Sequence, residues 1–167
     1  IKNVYTCFCT DIIHAGHKNL LRAAAELGRV TVGVLSDAEM VRYNRFPTKT
    51  LEERMAMLSE LPEVAEVVVQ EHIMYDEIID RLRPDYVVHG SNWAQGPESS
   101  IRKNVLAALA RCGGQLVEPP YTYNDEVRKI DWQMREQLAM PEARRGRLRR
   151  LLAIVPLVQP IEVHNGL

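Results

Sequence analysis

In Val4-Tyr5-Thr6-Cys7-Phe8-Cys9-Thr10-Asp11-Ile12-Ile13-His14-Ala15-Gly16-His17, an apolar run passes through a short polar turn into a pair of histidines. Val4 to Cys9 is β-branched and aromatic, which suits a buried strand, and Thr10 and Asp11 end it. From about Gly16 to Leu27 the residues Leu20, Leu21, Ala24 and Leu27 recur at helical spacing, and Gly28 supplies the stop. The unit is therefore strand, turn, helix, with His14 and His17 at the helix N-terminus.

That placement has chemical consequences. The unpaired N–H groups and the positive end of the helix dipole make such a turn an anion site, and Gly16 lets a phosphate approach the backbone closely. Two imidazoles there can donate hydrogen bonds to oxygens of a phosphorus centre whose charge shifts in the transition state. Losing one such donor costs roughly 100–1000-fold in rate. A lone histidine is more often structural, but two that flank a glycine in this context are hard to explain as packing. Cys9, Thr10 and Asp11 share the turn. Thr10 and Asp11 read as turn holders through side-chain bonds to backbone, with an indirect ligand role as the alternative for Asp11.

Working outward, Val30 to Leu35 reads as a second buried strand, followed by a polar, helix-prone piece with Ser36 as N-cap. Residues 43–49 lack periodicity and read as a loop. Thr50 and Glu53 form a capping box for a helix whose inner stripe is Leu51, Met55 and Leu58. Val64 to Val69 is a third strand, Tyr75 to Leu82 a short helix ended by Pro84, and Tyr86 to Val88 a fourth strand that breaks into His89-Gly90-Ser91-Asn92-Trp93. Ile101 to Ala110 is helical, stopped by Gly113 and Gly114, and Gln115 to Glu118 makes a fifth strand before Pro119 and Pro120. Strands alternating with helices imply right-handed crossovers, hence an α/β, Rossmann-like fold with a mostly parallel five-stranded sheet covered on both faces. Ligands bind beyond the carboxyl ends of such strands. The turn after the first strand, the loop around Arg45 and the segment from His89 to Trp93 all fall there.

Composition sets bounds on this reading. With 167 residues and 46% hydrophobic content, one well-buried core is expected. A charged fraction of 26% and a net charge of -1 give no global excess of positive charge for nucleic acid or an anionic membrane, so any anion site is local. No apolar stretch approaches the ~20 residues needed to span a bilayer, and a signal-peptide pattern is missing at the N-terminus, so a cytoplasmic protein is expected. Cys7 and Cys9 lie two apart in the first strand, on one face, and read as reduced thiols; no metal site is expected, for want of further ligands at zinc spacing. The chain begins at Ile1, as a processed product or a piece of something longer.

Beyond Asp125 the pattern changes. Ile130, Met134 and Leu138 suit a further helix that Pro141 ends, and Trp132 reads as a packing residue. Residues 141–150 carry five arginines, at 144, 145, 147, 149 and 150. Without aromatic interleaving these read as a solvated linker or helix face. The apolar stretch from Ile154 to Leu167 reads as a domain junction cut short, so residues 1–140 are expected to form the catalytic domain.

Thr10 to His17 resembles the signature of the nucleotidyltransferase superfamily with an HxGH motif. Pro84-Asp85-Tyr86-Val87-Val88-His89-Gly90-Ser91-Asn92-Trp93 resembles that of its cytidylyltransferase branch. The resemblance implies a CTP triphosphate, with Mg²⁺ carried on it, beside His14 and His17, with Cys9, Thr10, Asp11 and Gly16 in the same turn. It implies ribose and cytosine near His89, Gly90, Asn92 and Trp93. A phosphate-binding lysine of many relatives falls near Asn44, so Arg45 or Lys49 is expected to supply that charge, a solvated loop cation being the plain alternative. Arg54 matches a family helix position that reaches the site, against a surface ion pair. Relatives often have two aspartates where Ser91 and Asn92 stand. Where many continue with a Gly-Ile-Ser-Ser/Thr-Thr segment, this chain has Tyr121 to Lys129, and Arg128 and Lys129 are candidates to substitute, or else charges on a helix face.

The tail, Arg147 to Leu152 followed by Glu162 to Leu167, resembles the beginning of a phosphoenolpyruvate mutase domain. A cytidylyltransferase ahead of such a mutase resembles the bifunctional enzymes of fosfomycin biosynthesis. This implies CMP transfer from CTP to 2-hydroxyethylphosphonate, with the mutase-like domain fused behind residues 141–167. Arg102 and Lys103 are candidates for holding the acceptor or a phosphate, against a solvent-facing role. The rival readings are 2-aminoethylphosphonate or an alcohol phosphate as acceptor, and a non-catalytic nucleotide-binding domain. A tRNA-charging domain shares the histidine motif, but the chain has no lysine-rich second signature. A homodimer is expected only from the habit of similar enzymes.

Overall fold

The computed structural model describes residues 1–43, 47–120, 125, 128–129, 132 and 141–154. Five strands, β1 (Asn3–Phe8), β2 (Arg29–Leu35), β3 (Glu66–Gln70), β4 (Tyr86–Val88) and β5 (Gln115–Val117), form one sheet in the order β3-β2-β1-β4-β5. Every neighbouring pair is parallel, with Val4 aligned on Val30 to one side and on Tyr86 to the other. The chain winds outward from β1 through β2 to β3, then returns to the far side of β1 for β4 and β5. The order therefore reverses between β1 and β4, and such a reversal opens a crevice at the carboxyl ends of those two strands.

The helices are α1 (Ala15–Leu27), α2 (Asp37–Arg42), α3 (Leu51–Ser59), α4 (Asp76–Leu82), α5 (Ser99–Cys112) and α6 (Pro141–Ile154), with a 3-10 turn at Ser91–Trp93. Period-two alternation divides the core in two. Val4, Phe8, Val30, Val32, Val34 and Val88 face Leu21 and Ala24 of α1 and Leu58 of α3. Tyr5, Leu35 and Val87 face Ile78 and Ile79 of α4 and Ile101, Val105, Ala108 and Leu109 of α5. Each fully buried side chain of this size contributes about 1.5–3 kcal/mol. Cys7 and Cys9 share the α4 and α5 side, and neither they nor Cys112 are in a disulfide.

Most caps form as the sequence implies. The Ser36 hydroxyl accepts from Glu39 N–H at the start of α2, and Thr50 and Glu53 cap α3 reciprocally, at 3.2 and 2.7 Å. Helix α5 extends beyond the expected 101–110 at both ends, because Gly113, in the left-handed region at φ 77, is what stops it. Pro141 begins α6, a position where its missing N–H costs nothing. Arg145 and Arg149 are exposed on that helix, in keeping with a solvated face. Trp132, expected to pack, is 62% exposed. The expected helical pattern at Ile130, Met134 and Leu138 lies outside the described residues.

Strands β1, β2 and β3 are locked by one side chain. Tyr5 of β1 lies across Gly33 of β2 and donates its hydroxyl to Gln70 Oε1 of β3 at 2.5 Å, with all three residues inside. A Cβ on residue 33 would stand 1.8 Å from that hydroxyl, so only glycine leaves room for the ring. The substitution Gly33→Ala is expected to destabilise the domain by about 1–3 kcal/mol through overpacking. Urea unfolding measures this, and an unchanged midpoint would refute the strand lock.

Candidate active site

Helix α1 is capped by its own histidines. His14 stands at the N-cap, where its Nδ1 accepts the Gly16 N–H at 3.1 Å, and His17, one turn on, accepts the His14 N–H on its Nδ1 at 3.3 Å. This is a capping box in which imidazoles replace the usual Ser or Thr and Glu. A ring nitrogen that accepts carries no proton, so each neutral ring keeps its hydrogen on Nε2, the edge turned away from the backbone. The rings stack with centroids 3.8 Å apart and planes 23° from parallel, and Phe8 meets His17 edge-on at 5.0 Å. Burial, with the neighbouring His14, pushes the His17 imidazole down from 6.5 to about 4. His17 is therefore a neutral hydrogen-bond donor at physiological pH.

The rest of the turn holds this arrangement. Thr10 Oγ1 accepts from the Ile12 N–H and donates to the Ile12 carbonyl. Asp11 is buried and accepts from Thr48 N–H at 2.6 Å, Thr48 Oγ1 at 2.9 Å and Lys49 N–H at 3.3 Å. Its carboxylate thus ties the turn to the segment ahead of α3, and Asp11 does not itself line the cavity. The Gly16 N–H is taken by His14.

Across the β1/β4 reversal, His89 donates Nδ1–H to the Gly90 carbonyl at 2.8 Å, and its ring stacks on Trp93 at 3.5 Å with planes 9° apart. Trp93 is 1% exposed, and its indole N–H donates to Glu118 Oε1 at 2.7 Å. Glu118 also receives both arms of Arg102, each at 2.8 Å. The bonds from Arg102 hold the Glu118 carboxyl below the usual range, with Trp93 and His89 adding to the effect. Arg102, a candidate for gripping the acceptor, is committed to Glu118, while Lys103 is exposed. Glu118 escaped the sequence reading; the available signal was an acidic residue at the carboxyl end of a strand, directly before two prolines.

Between these two sides lies a cavity of about 270 Å³. Cys9, Thr10, His14, Gly16, His17, His89, Gly90, Asn92 and Trp93 all line it, so one crevice gathers nine of the positions singled out from sequence. Leu35, Gln70, Ile73, Tyr75 and Glu98 also line it, and sequence reasoning did not reach them. Arg128 and Lys129 are exposed and do not line the cavity; Arg128 pairs with Asp125 at 3.5 Å. Arg54 neither reaches the cavity nor sits at the surface. It is fully buried, bonding the Leu35 carbonyl and the Asp37 carboxylate, and so fastens α3 to the end of β2. Arg45 lies outside the described residues. Among the described residues no three His, Cys, Asp or Glu side chains come together as a metal cage, and none of the helices is long and apolar enough to cross a membrane.

Neutral imidazoles capping the helix at the strand-order reversal of a parallel sheet place this domain in the nucleotidyltransferase class. The chain belongs to the cytidylyltransferase-like family, whose model matches residues 5–142. It is 34% identical over 134 residues to the bifunctional protein HldE of Hahella chejuensis, covering 78% of this chain and 25% of that protein. It is 36% identical over 96 residues to an ethanolamine-phosphate cytidylyltransferase of Arabidopsis thaliana, covering 53% of this chain and 23% of that protein. The chain thus spans about a quarter of the length of these curated relatives. Among solved structures, a lipopolysaccharide core biosynthesis protein from Thermoplasma volcanium shares the fold at TM-score 0.60 and 20% identity, covering 74% of this chain and 98% of that one. Pantothenate synthetase from Thermus thermophilus does so at 0.53 and 15%, covering 92% and 68%.

The depressed His17 pKa carries a pH dependence with a definite sign. Between about 4 and 6.5 the unfolded chain binds a proton at this ring that the folded chain refuses. Its contribution to stability is present above 6.5 and is lost as the pH falls through about 4. Folding free energy measured against pH should decline across that window, with a shallower decline in His17→Asn. An NMR titration placing the His17 midpoint near 6.5 would contradict the buried, neutral ring.

Proposed function

We propose that the domain transfers CMP from CTP to a phosphonate, 2-hydroxyethylphosphonate, and releases pyrophosphate, as a step in the biosynthesis of a phosphonate antibiotic of the fosfomycin type. The observation that carries the transfer is the pair of capping imidazoles, each with its hydrogen on Nε2, at the rim of the cavity. In this reading the triphosphate lies against His14 and His17, and ribose and cytosine lie by His89, Gly90, Asn92 and Trp93. A phosphonate oxygen forms its bond to the α-phosphorus as the bond from that phosphorus to the pyrophosphate oxygen breaks in line. Such a displacement needs positioning and charge stabilisation, and no protein nucleophile. The two Nε2–H groups hold oxygens on which negative charge shifts, and being fixed beforehand they need no reorganisation as it does so.

The wall of the cavity carries no lysine or arginine among the described residues. The reading assigns the missing positive charge to Arg45, with Arg128 and Lys129 as further contributors. Mg²⁺ enters only as the ion carried by the triphosphate, where it neutralises phosphate oxygens.

The choice of acceptor is supported by the tail resemblance at residues 147–152 and 162–167. The same reading puts residues 1–140 ahead of a mutase-like domain in a longer cytoplasmic chain. Identity to an ethanolamine-phosphate cytidylyltransferase favours an alcohol phosphate as the second candidate acceptor.

Pyrophosphate release with CTP, ATP, GTP and UTP, each against 2-hydroxyethylphosphonate, 2-aminoethylphosphonate and ethanolamine phosphate, tests the assignment. Turnover is expected with CTP and the hydroxyethyl compound; turnover with an amine alone rejects that acceptor. His14→Asn and His17→Asn keep an oxygen where Nδ1 caps the helix and remove the distal donor, so each should lower kcat by roughly 100–1000-fold. Transfer at full speed in the double variant ends the proposed mechanism. Arg45→Ala should raise KM for CTP, and an unchanged value removes Arg45 from the site.

A further inference from the structure

Glu118 does not line the cavity, yet it governs two groups that do. Its carboxylate takes the Trp93 indole N–H at 2.7 Å and is itself held in place by the two-armed grip of Arg102. Trp93 is wholly enclosed, and its ring is the surface on which His89 lies flat, 3.5 Å away. The torsion of a stacked imidazole is set by the plane beneath it, and the plane of a tryptophan is set by packing and by its single polar atom. The order is therefore Arg102, Glu118, Trp93, His89, running from the start of α5 and the end of β5 to the wall of the cavity.

We propose that Glu118, clamped by Arg102, is a positioning residue for a planar nitrogenous ring: it fixes the Trp93 plane and through it the His89 face against which a nucleobase packs. The inference rests on the reading of the cavity as a nucleoside triphosphate site and adds to it a residue outside the wall. Stacking on an aromatic platform is worth about 1–3 kcal/mol per base, so a platform left free to rotate should weaken nucleotide binding by about tenfold. Glu118 touches no reacting atom, so the chemical step at saturating nucleotide should be left nearly intact.

The experiment uses the whole chain in a Trp132→Phe background, which leaves Trp93 as the one indole and alters only an exposed side chain. Glu118→Leu, Glu118→Gln and Arg102→Leu are compared by Trp93 emission, by equilibrium dialysis of CTP, and by KM and kcat in pyrophosphate release. Glu118→Leu should shift the Trp93 emission, weaken CTP about tenfold, and leave kcat and the acceptor KM within about threefold. Glu118→Gln keeps an oxygen for the indole and should recover most of the CTP affinity. Equal losses in CTP binding, acceptor KM and kcat would mean a merely structural role and overturn the proposal. If the parent chain binds CTP and Glu118→Leu binds it equally well, this inference alone falls. If the parent chain binds no CTP, the nucleotide reading falls and takes this one with it.

Discussion

The reciprocal bonds between two imidazoles and the first turn of α1 are the constraint on which the remainder of the site depends. A helix start needs acceptors for its leading N–H groups. Here those acceptors are the Nδ1 atoms of His14 and His17, so the folding requirement of the helix settles the protonation of both rings. Enclosure beside Phe8 then keeps His17 uncharged. Local structure and chemical capacity are the same set of bonds, which is why a capping residue and a donor to phosphate can be one side chain.

The sheet delivers that turn to the right place. Because β4 pairs with β1 on the side opposite β2, the turns after β1 and β4 leave the sheet as neighbours, and a crevice opens between them. Two further ties fix its walls. Asp11 holds the segment before α3 against the β1 turn, and Glu118 joins the end of β5 to α5 and to the turn after β4. Both carboxylates stand outside the cavity, and they set its shape through hydrogen bonds to groups that other elements contribute.

Much of this was legible in the chain itself. Alternating apolar strands and capped helices gave the parallel sheet, and His14, Gly16 and His17 marked the turn that lines the cavity because strand, turn and helix follow one another within so few residues. Long-range polar partners were less legible. Arg54 reads from its helix as a cation that reaches the site or else pairs at the surface, and only the tertiary fold puts it under α3 against Leu35 and Asp37. Arg102 looks available to a ligand until β5 brings Glu118 beside it. Gln70 is tied to Tyr5 as Tyr5 passes over Gly33, packing between three strands that no local pattern encodes. The role of the histidines as caps did carry a local signal, polar acceptors at the first position and three residues on, but histidine is an unusual occupant of both.

His89 differs from the other two imidazoles in how it is hydrogen-bonded. Its Nδ1–H is given to the Gly90 carbonyl, so in the neutral ring the lone pair resides on Nε2, the reverse of His14 and His17. In the neutral rings, His14 and His17 thus carry a hydrogen on Nε2 where His89 carries an electron pair. A molecule with an oxyanion at one end and an N–H-bearing heterocycle at the other meets matched polarity in one direction of entry, and opposed polarity if turned end for end.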